Sequence, residues 1–569
     1  MSARVAFRLA VVAVVMAPGF VGTAQAATPR TWYVRAGATT SAGTAQHPFG
    51  TLAQVESSTR PGDTIVVLPA SGALDGGLQL KANQTLRGSG GSVQTAGEIA
   101  PRLTNTTSRL DGDAVRLADG VTVSNVRVAD TLRGAIYGLN VTGVRVTGTD
   151  VSGQNQSCTT GYLIPQFNAP TNVPGVGIPI TGGLPNGWAG IMVDATSRTG
   201  VSVTIDDNEV HHAECGDGID IRFSGTATGS ATIAANRVHH LRQGNGLKSV
   251  LAIGLQSSDS ARLSATVDGN AQSDLGNDDD PNFAVEGADS EGVFLNAVGP
   301  ATLNATVSNN TYTNENGWGG FSANGLEMVS MGSGARMNAV VRDSSFSGSP
   351  GDIIEHGALG TDAVMTMTLE RVVAERSAGV GNTILLPFNN GDCVLAGSLG
   401  ARNIVRLTVR DSVLRDCRNN GLSVGSNVVN GSGPTTEVAL DVADSTITGN
   451  RGSNLGVRNF TKLDRLKVKV QRTNLSDSKG LGSGLANFSA EDLGSTTSAD
   501  IDLGRGSLGS VGENCFVGGT LQADVVRYRV SARANWWGRP TGPALGKTIV
   551  LAGSLDASSP LATAPESCG

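Results

Sequence analysis

After its first 26 residues this chain has no long apolar run, almost no helix-type spacing of apolar side chains beyond residue 60, and few aromatics, 4% in all. The first absence excludes a membrane-spanning helix in the remainder of the chain, since such a helix needs about 20 apolar residues in succession. The second excludes a helical bundle, whose apolar positions recur every three or four residues. A surplus of positive charge is also missing. Setting aside Arg4 and Arg8 leaves 40 basic against 49 acidic residues, a net charge of −9. That balance argues against nucleic acid or an anionic membrane as partner. None of the six cysteines forms a Cys-x-x-Cys pair, so a zinc knuckle is excluded.

What is present begins with a leader. Arg4 and Arg8, the run LAVVAVVMAPGFV and Ala-Gln-Ala at 24–26 follow the charge, core and small-residue order of a secretory signal. The expected mature chain is secreted, free of the membrane and monomeric. Six cysteines in an exported chain default to disulfides. Glycine is abundant, at 77 residues, and the apolar residues are strongly patterned, which reads as a turn-rich β protein.

A repeat carries that pattern. VSVTIDDNEV at 201, GSATIAANRV at 229, LSATVDGNAQ at 263 and LNATVSNNTY at 303 open a gapless series of ten segments whose starts lie 28 to 40 residues apart. The third and fifth positions are apolar, the eighth is mostly Asn, Ser or Thr and the tenth is usually apolar: a period-2 strand followed by a polar turn. Most segments are followed by a second strand behind a glycine turn, as in GDGIDI at 216, GNGLKS at 244 and NGLEMV at 324. A coil this small cannot bury its apolar face alone, so successive coils must stack around one core. Stacking sets Asn208, Asn236, Asn270 and Asn310 above one another as a side-chain ladder. The fold expected is all-β, a right-handed parallel β-helix with a short N-terminal capping helix.

The stretches WYVRAGATTSAGTAQHPFGTLAQVESSTRPGDTIVVLP (32–69), NQTLRGSG (83–90) and NWWGRPTGP (535–543) resemble the opening and closing of pectin-lyase-like β-helix proteins. The resemblance implies the fold strongly and the chemistry weakly, because that superfamily holds lyases, hydrolases, epimerases and proteins without known catalysis. The expected layout is a signal over 1–26, a cap over 27–60, the β-helix over 61–544 with a Pro- and Gly-rich excursion at about 156–187, and a closing segment over 545–569. Of fifteen possible disulfide sets, coil length suggests Cys393 with Cys417 between neighbours, Cys515 with Cys568 at the C-terminal end, and Cys158 with Cys215 holding the excursion.

Candidate chemistry lies on the second strands. Stacking Ile191, Ile219 and Leu247 inward puts Met192, Asp220, Lys248, Phe294, Glu327 and Ser423 in one outward column. Asp194, Arg222, Val250, Asn296, Val329 and Gly425 then form the next. The preceding turn contributes Asp217, Asn245, Glu291, Asn324 and Asn420, and GDIIEHG at 351–357 places Asp352, Glu355 or His356 on the same face. Such a face suits an extracellular polysaccharide, whose hydroxyls need polar partners while one group moves a proton. Asp217 with Asp220, or Asp220 with Glu327, would serve a glycoside hydrolase as acid and base, whereas a polysaccharide lyase would use Lys248 or Arg222. Glu291, Asn296, Glu355 and His356 would bind substrate, with Trp188 and Trp318 stacking on sugar rings. A plain solvated face, on a non-catalytic adhesin or glycan-binding protein, is the alternative.

Two further clusters remain. Asp278, Asp279 and Asp280 offer oxygen ligands to calcium, although consecutive side chains diverge and the EF-hand spacing is missing, which favours a plain acidic loop. His211 and His212 recur as His239 and His240 at the repeat interval; zinc is conceivable there, but adjacent side chains point apart, which favours turn histidines bonded to backbone and no metal site.

Overall fold

The computed structural model describes residues 28–90, 100–164, 184–242, 244, 249–276, 289–314, 323–378, 391–426, 433–480 and 486–568. The leader, Lys248, Trp318 and Asp278 to Asp280 lie outside them.

Each coil is a third-sheet strand, a first-sheet strand and a short second-sheet strand. Ile219–Ser224, Thr228–Ala234 and Arg237–Leu241 make one such coil. Among the described residues the sheets hold 17, 11 and 17 strands, and every pairing is parallel except that between Thr160–Ile164 and Leu184–Gly187. The chain is a right-handed parallel β-helix, the hand that parallel crossovers take. Helix Leu52–Ser58 caps its N-terminal end, with Thr51 and Gln54 forming a capping box and Leu52 and Val55 buried. The strands at both ends of the excursion pair with each other, and Thr548–Leu551 with Ser554–Asp556 adds a last coil.

The repeat explains why these residues coil. Alternate side chains such as Val203, Ile205, Ile233 and Val267 enter the core, while their neighbours face out. At the corner between the first and second sheets one residue takes a left-handed backbone, Asp207, Ala235, Gly269 and Asn309 in successive coils. The asparagine ladder follows. Asn236 accepts from the Asn208 amide at 2.9 Å and donates to Asn270 at 2.9 Å, and Asn270 donates to Asn310 at 3.0 Å. Each also donates to a backbone carbonyl of the coil before it. All six cysteines are paired, 158–215, 393–417 and 515–568.

Register corrects one alignment. Ile191 pairs with Ile219, but Ile219 pairs with Ile253, not Leu247. The coil starting at 229 is 34 residues long, and its six extra residues fall before Ile253, the register partner of Ile219. GNGLKS repeats the glycine-turn sequence six positions ahead of the register that pairing sets. Gly254 therefore takes the place assigned to Lys248, Gln256 that of Val250, and Leu251 stands in the turn column in place of Asn245.

Candidate active site

Much of the outer side of the third sheet is buried rather than solvated. Asp217, Asp220, Glu291, Asn296 and Phe294 are fully buried, and Glu327 is 8% exposed. Two small apolar clusters sit on this side: Tyr137, Trp188, Ala189 and Met192 at one end, and Leu251, Phe294, Val329 and Met331 further along. A sheet with apolar clusters on both faces is buried on both.

In the turn column, five polar side chains accept the backbone N–H of the coil that follows. Asp217 accepts from Leu251 at 2.7 Å, Asn324 from Asp352 at 3.1 Å, Asp352 from Asp392 at 2.6 Å, Asp392 from Asn420 at 2.8 Å and Asn420 from Ser453 at 2.9 Å. This is a second ladder, and it makes Asp217 a structural residue. Asp217 also accepts from the Asn186 amide, while both carboxylate oxygens of Asp220 are buried without a hydrogen-bond partner among the described residues. Burial, then the Asp220 charge, raises Asp217 well above the usual carboxylate range; burial pushes Asp220 up to about 7. Burial and mutual repulsion thus favour the neutral form of both acids. A Cβ on Gly254 would stand 2.5 Å from Asp220 Oδ1, so glycine makes room for the carboxylate.

Arg222 is an anchor. Its guanidinium grips Asp194 through two bonds of 2.7 Å and donates to the Gly161 carbonyl at 3.1 Å, while Tyr137 donates to Asp194 at 3.1 Å. A bidentate, partly buried Arg–Asp pair leaves no group to abstract a proton. Trp188 is 9% exposed; Tyr137 meets it edge-on at 5.2 Å and Arg133 lies over its ring at 4.0 Å, so its faces are taken. Asn296 accepts from Gln256 and donates to the Val329 carbonyl, tying three coils together. His356 points inward, in register with Met328 and Ala396. Burial pushes it down to about 3, so it stays neutral and has no role with substrate.

Three glutamates are left. Glu327 and Glu355 are register partners on adjacent strands, and Glu355 is partly open to solvent. Glu291 lies one coil before Glu327, in the turn column. Asn324 links the group: its Oδ1 is held by the Asp352 N–H, which turns its Nδ2 towards Glu355 Oε2 at 3.2 Å and Glu291 Oε1 at 3.5 Å. Burial raises Glu355 against the opposing Asn324 bond. An acid with a raised pKa beside a second carboxylate is the pairing that glycosyl transfer to water requires.

The histidine pairs form a stack of their own. His211 lies parallel to His239 at 5.2 Å and His212 to His240 at 4.8 Å, while Nδ1 meets Nδ1 within each pair at 2.6 and 2.7 Å. Nε2 of His211 contacts Asp150 at 3.1 Å and that of His239 contacts Glu209 at 3.0 Å. The contacts are to neighbouring side chains, not to backbone. Nitrogens this close share a proton. Among the described residues no group of three or more His, Cys, Asp or Glu has metal-ligand geometry.

Sequence reasoning passed over Asp392, whose turn reads GDCVLA with Cys393 where other coils have glycine. The acid followed by an apolar pair was the available signal.

No family model matches the chain, and no curated protein does. Several solved structures are similar at low identity. The GH136 lacto-N-biosidase from Eubacterium ramulus is 12% identical over 62% of this chain and 66% of its own, just under two thirds of its length, with a TM-score of 0.29. The A-module of the Azotobacter vinelandii mannuronan C-5 epimerase AlgE6 is 11% identical over 89% and 92%, TM-score 0.25. A rhamnogalacturonan lyase is 12% identical over 77% and 82%, TM-score 0.17. At these values no residue role is carried over from them.

Proposed function

We propose that this chain is a secreted glycoside hydrolase acting on an extracellular polysaccharide, with Glu355 as general acid and Glu327 as nucleophile. The observation that carries the reading is the pairing of Glu327 with Glu355 on adjacent strands, beside an asparagine fixed to address Glu355. Register neighbours stand about 4.8 Å apart along the stack, so both carboxylates can address one sugar ring, and we read the pair as the type in which the second carboxylate attacks the sugar directly. In the reaction Glu355 gives its proton to the glycosidic oxygen as Glu327 bonds to the anomeric carbon and the leaving sugar departs. Glu355 then takes a proton from water, whose oxygen displaces Glu327. The product keeps its anomeric configuration. Asn324 and Glu291 position Glu355. A hydrolase is favoured over a lyase because Arg222 is committed to Asp194.

The test is a panel of neutral and acidic polysaccharides assayed for new reducing ends. Glu327→Gln and Glu355→Gln are each expected to lower the rate by ~10²–10⁴-fold while the melting curve stays within a few degrees of the parent. Unchanged rates in both variants would place the chemistry elsewhere.

A further inference from the structure

We propose that the outer face of the first sheet binds ice. The fourth position of the repeat, which neither core nor corner requires, carries Thr204, Thr232, Thr266, Thr306, Val340 and Thr368, register partners through six successive coils with no shift. Two residues earlier on the same strands a parallel column reads Ser202, Ser230, Ser264, Asn304, Asn338 and Thr366. None of the twelve is buried, and among the described residues no side-chain hydrogen bond occupies their hydroxyls and amides.

The strip is neutral throughout, while its margins carry charge: Arg262 and Arg336 on one side, Asp206, Asp268, Arg342 and Glu370 on the other. Its partner is therefore an uncharged surface. Coil spacing of about 4.8 Å and a same-face spacing of about 7 Å along each strand make the polar groups a two-dimensional grid. A hydroxyl that meets a dissolved ligand merely exchanges one hydrogen bond with water for another, a net gain near 1 kcal/mol. Eleven such polar groups, nine hydroxyls and two amides, act together only against a partner whose own oxygens are fixed and periodic, so that one contact sets the next. No aromatic stands in the strip, which removes the usual platform for sugar rings and disfavours a polysaccharide crystal. The threonines are β-branched and restricted at χ1, so hydroxyl and methyl are preset on the grid. A rigid, neutral lattice of hydroxyls and methyls matched to ordered water is what the face of an ice crystal would hold.

The test is growth of a slow ice front through a solution of the full chain, with Thr266→Tyr as the variant and microcrystalline cellulose and chitin as parallel solids. Residue 266 faces out, so the variant keeps the parent melting curve; Thr232→Tyr is the substitute if it does not. The expected result is enrichment of the parent in the ice fraction, faceting of ice crystals, and loss of both in the variant. Exclusion of the parent from ice overturns the proposal. Retention on cellulose or chitin that Thr266→Tyr abolishes, without enrichment in ice, overturns it in favour of a crystalline polysaccharide. These outcomes are independent of Glu327 and Glu355, so loss of the hydrolase reading leaves this test intact.

Discussion

Asn270→Leu is expected to destabilise the coils around residues 229–313 by about 4 kcal/mol, a large fraction of what holds any one region together. The side chain is 1% exposed. It accepts from the Asn236 N–H and amide, both at 2.9 Å, and donates to the Ile233 carbonyl at 2.9 Å and Asn310 Oδ1 at 3.0 Å. Leucine fills a similar volume and satisfies none of these. Two donors and a carbonyl then remain buried without partners, at roughly 1–3 kcal/mol each. A solenoid's stability is set by contacts between neighbouring coils, so the loss should be regional. Hydrogen exchange of the backbone amides is the measurement, with faster exchange in the coils on either side of 270 and little change beyond residue 400. Asn304→Leu, outward and exposed, is the control and should move stability by less than about 0.5 kcal/mol.

The second large effect is on pH. Burial raises Asp217, Asp220, Asp352, Glu355 and Asp392, with Asp220 and Asp392 each pushed up to about 7. A group raised on folding contributes stability that is fully present below its unfolded value, about 3.8, and is lost as pH climbs through its folded value. Asp220 and Asp392 should each withdraw up to about 4 kcal/mol between pH 4 and pH 7. Carboxylates that the fold lowers act in the opposite direction. Asp150, held by His211 and Arg127 against its burial, and Glu437, held by Arg406 and Lys467 against its burial, add stability above the ordinary carboxylate range and lose it as pH falls. The melting temperature should therefore peak in mild acid and fall towards pH 8. Asp220→Asn and Asp392→Asn should flatten the fall above pH 5, and a parent melting temperature that rises from pH 5 to 8 would contradict the assignment.

The coil was legible because its signal is periodic. Alternation, the corner asparagine and the glycine turn recur often enough to outweigh local noise, and the ladder through Asn208, Asn236, Asn270 and Asn310 followed from stacking alone. Register on the third sheet was less secure. GNGLKS has the same turn chemistry as GDGIDI, and nothing in the residues says that the register partner of Ile219 lies six positions later, at Ile253. Around GDIIEHG, two adjacent isoleucines each suit the core, so one-residue register stayed open until pairing put Ile354 inward, Glu355 outward and His356 inward. The burial of the outer face was not legible at all. Alternation predicts which way Asp220 and Phe294 point, not whether anything covers them. That is why Asp217 and Asp220 read as surface acids and are buried ones with raised pKa values, while Glu327 and Glu355 keep the position from which we propose the chemistry.

The central claim is that Glu327 and Glu355 cleave a glycosidic bond with water. It is tested most directly by following product formation from a responsive polysaccharide with parent and Glu355→Gln, monitoring reducing ends, the ultraviolet absorbance of an unsaturated uronate, and the anomeric configuration by proton NMR. The account predicts reducing ends of retained configuration, no unsaturated product, and loss of the signal in Glu355→Gln. Unsaturated product, or undiminished release by the variant, would contradict it.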